Sequence, residues 1–287
     1  MAEVIYHIYD IIFKKILTLS SIAVVNLING LFDTDYSCDS TITYNWTEFE
    51  DDSLKKTLAD TIITINGVHS YHLEAQMTED EDIILRVFDY SYGHANRTST
   101  KDGQKQILRF PEPKIIYLYA KNNVPEKYTL ELDFGTQGTF QYEVSTFNFL
   151  KTSPAELTER KMIILIPFQL LKLRRIMEKE RTPENLEALK NLIQNDIIGS
   201  VNENLRVGNI TISDARKLRR LTHKLYDHIY SHYEEMEELN EMTDESLMLD
   251  IDIIEMQHEK ELAAKDNEIA RLKKLLAEAG IAEQQDC

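Results

Sequence analysis

The stretch Leu58–Gln76, LADTIITINGVHSYHLEAQ, decides how the rest of the chain is read. Ile62, Ile63, Ile65, Tyr71 and Leu73 belong to the residue types that favour strands. Asn66-Gly67 divides the two halves, and that dipeptide between alternating apolar runs signals a hairpin. The expected strands are 58–65 and 69–77. Against this background Asp60, Glu74 and Gln76 stand out. Acidic groups are poor strand formers, and among Ile and Leu they cost stability unless partnered. Two carboxylates brought together on adjacent strands are a candidate site for a hard divalent cation.

Whether they meet depends on the turn. Successive side chains alternate across a strand, so Glu74 and Gln76 share one face, with Leu73 and Ala75 on the other. A two-residue turn would pair Ile65 with Val68 and Asp60 with Leu73, sending Asp60 and Glu74 to opposite faces. A three-residue loop with Gly in the left-handed conformation, or a bulge, restores a shared face. The competing reading puts Asp60 at a strand entrance and Glu74 and Gln76 on a solvated face, as alternating polar residues often are.

Working outward, Ile8, Ile12, Phe13, Ile16, Leu19, Val24, Leu27 and Ile28 follow helical spacing over 8–31, with Gly30 as the expected stop. Residues 41–48 alternate as a first strand. A helix is expected over 79–97, opened by the acidic run Glu79 to Asp82. After a polar loop near Lys101 come strands at 114–120, 128–133 and 139–147, with Gly135 and Gly138 in the last turn. The expected fold is α/β: a mixed central sheet flanked by helices over 1–150. A helical region follows over 151–250. Thr182-Pro183-Glu184 opens one of its helices, and another begins near Ser213-Asp214. A tail over 251–287 repeats Leu262, Ile269 and Leu276 every seven residues, with Leu272 between them. His258 and Lys265 interrupt that seam. The tail could drive homo-oligomerisation or pack back on its own chain.

The chain has 287 residues, 43% of them hydrophobic. That is enough apolar content for a core, and it excludes wholesale disorder. The net charge is -17. It is spread along the chain, with 12 basic against 22 acidic residues in 1–150 and 20 against 27 in 151–287. Such a surface does not draw nucleic acid from a distance. Exposed charges beyond about 10 Å are screened at moderate salt, which leaves room for a local basic cleft. Arg216, Lys217, Arg219, Arg220 and Lys224 form the densest basic cluster. It could grip a phosphate backbone, or it could be a solvated helix face beside Glu234 to Glu238. Two cysteines, Cys38 and Cys287, make neither a disulfide framework nor a zinc set. A reducing setting is expected. Glu3 and the lack of a basic leader argue against a signal peptide. The apolar stretch Met162 to Leu171 is too short for a membrane span and contains Pro167. The expectation is a soluble cytoplasmic protein without membrane partners. His7, His69, His72 and His94 lack metal-ligand spacing, although His72 shares the face of Glu74.

An ordered set of motifs then emerges. Asp10-Ile11-Ile12-Phe13-Lys14 has the form D-x-x-F-K, Asp60 lies in the second core strand, and Glu74-Ala75-Gln76 has the form E-x-Q. Arg86 and Tyr90 form R-x-x-x-Y, Pro113–Tyr119 a later strand, and Leu165–Phe168 the form L-x-P-F. This order, over roughly 5–175, resembles the recombination-promoting nuclease family, the transposase-like branch of the PD-(D/E)XK nucleases. Two positions depart from the broader pattern: no proline precedes Asp60, and Gln76 stands where many relatives have lysine. The resemblance implies a restriction-endonuclease-like core and a metal-dependent DNA endonuclease, with links to recombination or mobile elements. It implies Asp60 and Glu74 as ligands of Mg²⁺, or of Mn²⁺ as a substitute, with the Ala75 carbonyl as a further ligand and Asp10 joining them. Gln76 would orient the attacking water. Lys14, Arg86 and Tyr90 would contact the DNA. Because Gln76 cannot act as a cation, a catalytically weak or inactive protein that binds DNA, regulates or assembles is the alternative.

Overall fold

The structure is a computed structural model that describes residues 3–49, 57–119, 124–233 and 248–278. It divides into two compact units, Met1–Leu247 and Met248–Cys287.

The first unit opens with α1 (Glu3–Ile16) and α2 (Ser21–Phe32). The single helix expected over 8–31 is broken, and the two segments bend by 106°. Ser20 causes the break. It takes an extended ψ of 157° and its side chain accepts a hydrogen bond from the Ala23 amide, which fixes a new helix start. Gly30 is not a stop, because α2 runs on to Phe32 and ends at Asp33 in the left-handed conformation. Gly30 is there for space: a Cβ at that position would collide with the Met162 side chain and lie 2.5 Å from the Arg160 carbonyl oxygen.

Strands β1 (Ile42–Phe49), β2 (Thr57–Ile65) and β3 (His69–Gln76) follow, then α3 (Ile83–Arg97). The expected polar loop near Lys101 is a short hairpin, β4 (Thr100–Asp102) and β5 (Lys105–Ile107). Strands β6 (Glu112–Tyr117), β7 (Lys127–Asp133) and β8 (Thr139–Asn148) complete a six-stranded sheet in the order β1-β2-β3-β6-β8-β7. The β3–β6 and β6–β8 pairs are parallel and the other pairs antiparallel. The architecture is therefore α/β with a mixed central sheet. In the parallel centre, Ile115, Ile116 and Tyr117 are buried in succession, as expected for a strand covered on both faces. Ile83 and Val87 of α3 pack against Ile115, Tyr117, Tyr142 and Val144, so α3 is seated on the sheet beside β3 and β6.

After the sheet come α4 (Pro154–Glu159), a tight 3₁₀ segment (Ile163–Leu170), α5 (Leu171–Lys179) and α6 (Pro183–Asn191). A wide turn (Leu192–Ile198), α7 (Gly199–Arg206) and α8 (Ile212–Ile229) follow. The apolar stretch Ile163–Leu170 is wholly buried, and α2, α4 and α8 pack against it. Helix α6 starts where its sequence suggests, with Thr182 as cap and Pro183 in the first turn. The start of α8 lies slightly earlier than Ser213-Asp214: Thr211 is the cap and Asp214 completes a capping box. The second unit contains α9 (Asp250–Glu278), in which Leu262 and Ile269 are exposed. The side chains of Leu272 and Leu276, and all of Glu234 to Glu238, lie outside the described residues. Among the described residues no single helix is long and apolar enough to cross a membrane.

Candidate active site

The hairpin loop has three residues. Ile65 pairs with His69, which leaves Asn66, Gly67 and Val68 in the turn. Asn66 and Gly67 take φ of 54° and 67°, a conformation glycine adopts freely and asparagine tolerates. The Asn66 side chain also accepts from the Thr41 amide at 3.0 Å, tying the loop to the start of β1. The register runs from Ile65 opposite His69 to Thr61 opposite Leu73. Partners face the same side, as the 2.8 Å hydrogen bond between the Thr64 and Ser70 hydroxyls illustrates. The paired register ends at Thr61 opposite Leu73. Just beyond it β2 bulges against β1, where Thr61 to Leu58 spans three steps against two from Trp46 to Glu48. The odd loop is the offset that a shared carboxylate face requires, and the bulge falls at positions 59 and 60. The side chain of Asp60 itself lies outside the described residues.

Glu74 is buried, with 6% of its surface accessible, so the solvated-face alternative does not hold for it. A buried carboxylate needs partners, and two donors converge on Oε1. The Gln76 side-chain amide donates from the same strand face. The Arg86 guanidinium donates Nη2 at 2.8 Å and spends Nη1 on Asp80 at 2.8 Å. Asp80 belongs to the acidic run Glu79 to Asp82, which precedes α3 and does not open it: the helix begins at Ile83 and its first turn holds no acidic residue, so the run's part here is to supply a partner for Arg86. Arg86 remains a third exposed. Tyr90, one turn along α3, is buried and meets His72 edge to face at 6.4 Å. One face of α3 thus reads alternate positions of β3: Tyr90 on His72, and Arg86 on Glu74.

Beneath this pair lies a buried polar chain. His72 Nδ1 and the Ser91 hydroxyl are 2.9 Å apart, and the Tyr142 hydroxyl donates to the same Ser91 oxygen at 3.1 Å. The sequence pointed to His72 through its shared face with Glu74. Ser91 and Tyr142 left no such signal, because three separate elements supply the contacts. Burial raises the Tyr142 hydroxyl pKa above its ordinary value, against the opposing hydrogen bond with Ser91.

Asp10 and Lys14 form an ion pair at 2.9 Å within α1. The structure therefore brings together Glu74, Gln76, Arg86 and Asp80, while Asp10 pairs with its own neighbour Lys14. Among the described residues no three His, Cys, Asp or Glu side chains form a metal-holding group. In donor chemistry, a carboxylate such as Glu74 is of the type that binds hard divalent cations. The guanidinium on Oε1 competes with such an ion for the same oxygen. No family model matches the chain, and comparison with the curated proteins and with the solved structures gives no match.

Proposed function

We propose that the chain is a metal-dependent endonuclease of the PD-(D/E)XK type that hydrolyses DNA phosphodiesters at the β2–β3 hairpin. The observation that supports this reading is the three-residue loop, the odd offset that a shared face for Asp60 and the buried Glu74 requires. The sequence order of helices, antiparallel β1–β2–β3, α3 and parallel β6 supports a restriction-endonuclease-like core. Asp60 and Glu74, with the Ala75 carbonyl, would hold Mg²⁺, and Mn²⁺ would substitute. When bound, such an ion polarises the phosphate and lowers the pKa of a coordinated water. Gln76 fixes the Glu74 carboxylate through its amide and would orient a water molecule. Arg86 anchors the same carboxylate from α3 and, once displaced from Oε1, can meet a phosphate with its fork. Tyr90 steadies His72 beneath Glu74. Asp10 and Lys14 of α1 would act as a pair at the margin of the substrate.

The test is cleavage of plasmid DNA in Mg²⁺ by wild type, Asp60→Ala and Glu74→Ala. Each variant is expected to lose activity by about 100-fold or more. Absence of cleavage by wild type across metals and salts, or equal cleavage by the variants, refutes the reading.

A second reading rests on the Arg86–Glu74 ion pair, which already neutralises the carboxylate. Under it the chain keeps the fold and binds DNA in a regulatory role without cutting. Titration with Mn²⁺ separates the two: DNA binding retained without any metal binding favours the second.

A further inference from the structure

We propose that the cleft between the end of α1 and α8 binds a run of phosphate groups. It has a volume of about 300 Å³ and is lined by Lys15, Thr18, Lys217, Arg220, Leu221 and Lys224. Lys217, Arg220 and Lys224 stand at i, i+3 and i+7 and so share one face of α8. Lys15 and Thr18 face them from the end of α1. Among the described residues no carboxylate lines the cleft. Among the described residues, none of its four cations is in an ion pair. Other cations of the same unit are paired, Lys14 with Asp10, Arg86 with Glu74, Arg174 with Glu178 and Arg206 with Glu203. Like charges held three or four residues apart on a helix repel. In a chain with 49 acidic and 32 basic residues, such a concentration is a local cost that an anion relieves.

The lining defines the ligand. Lysine ammonium groups and one forked guanidinium suit phosphate oxygens. The Thr18 hydroxyl donates to the Lys15 carbonyl at 2.9 Å, occupying a terminal carbonyl of α1 that would otherwise repel an anion. From Lys217 to Lys224 the row extends about 10 Å along the helix, long enough for more than one phosphate. With no aromatic ring in the lining among the described residues, recognition is of phosphates and not of stacked bases. The shared chemistry has two sources, the backbone of a nucleic acid strand and a free oligophosphate. The proposal stands apart from the nuclease reading, because no residue of the β3–α3 site contributes to it.

The experiment measures two probes on the full-length chain with a metal chelator present, so that neither metal binding nor cleavage enters. Labelled oligothymidylate is followed by fluorescence anisotropy, and inorganic triphosphate by calorimetry, both across a salt series. The variant Lys217→Gln/Arg220→Gln/Lys224→Gln is compared with Lys101→Gln/Lys105→Gln/Arg109→Gln, which removes equal charge on the β4–β5 hairpin. The first should weaken at least one probe by about tenfold or more and should flatten the salt slope for the oligonucleotide by about 0.7 per lost contact. The second should leave both unchanged. Lys15→Gln/Lys224→Gln, at two exposed positions, repeats the test with minimal risk to the fold. Loss of oligonucleotide binding assigns the cleft to a strand backbone, and loss of triphosphate binding alone assigns it to a free oligophosphate. Wild type that binds neither probe, or equal losses in both triple variants, overturns the proposal.

Discussion

Asp214 and Glu74 are both buried carboxylates, yet they are satisfied in opposite ways. Asp214 accepts from the Ser20 amide at 2.9 Å and from the Ser20 hydroxyl, and from the Thr211 amide at 3.0 Å and hydroxyl at 2.7 Å. These donors are neutral and close by, and they lock the start of α2 to the start of α8. Burial pushes the Asp214 pKa up, but hydrogen bonds from Ser20 and Thr211 together outweigh it and hold the carboxyl below its ordinary range. Glu74 is held by a same-strand amide and by a partly exposed arginine that also serves Asp80. A carboxylate saturated by fixed dipoles builds the fold. One balanced by a displaceable cation is open to chemistry.

That contrast can be broken most strongly at Asp214. Asp214→Ala should lower the unfolding free energy by about 2–4 kcal/mol, from the lost cap and the stranded donors. Glu74→Gln should cost about 1 kcal/mol, since Arg86 keeps Asp80. Urea unfolding of both variants checks the pair, and equal losses would erase the distinction. Next in size is Gly30→Ala, which should cost about 1–3 kcal/mol by overpacking against Met162 and Arg160, read from the same midpoints. A smaller effect follows from pH. The folded pKa of Asp214 is depressed, so its stabilisation is complete above the ordinary aspartate value of about 3.9 and is lost as pH falls through the folded value. Asp214→Asn should therefore flatten the acid limb of a stability–pH profile, and an unchanged limb would show that other carboxylates govern it.

Much of the sheet was legible in the sequence, because strand residues and Asn66-Gly67 are local signals. The register was not, since it depends on a hydrogen bond that the Asn66 side chain accepts from the Thr41 amide and on two left-handed residues. The break between α1 and α2 was hidden by apolar spacing that continues across it. Ser20 marks it, but the partner that secures Ser20 lies 194 positions away. Gly30 looked like a helix stop because a glycine's local meaning is flexibility. Its role comes from a close approach to Arg160 and Met162. At the site, the spacing of Glu74 and Gln76 and of Arg86 and Tyr90 was visible, while Asp80 was hidden in an acidic run. The basic cleft was half visible: the α8 cations cluster in sequence, but Lys15 joins them only in three dimensions.

The most direct test of the central claim is an anomalous diffraction map from crystals of the full-length chain soaked in Mn²⁺. The account predicts one metal peak bonded by the Glu74 and Asp60 carboxylates, with the Arg86 guanidinium moved off Glu74 Oε1. A map with no peak at Glu74 under saturating Mn²⁺, and the Arg86–Glu74 pair intact, would contradict it.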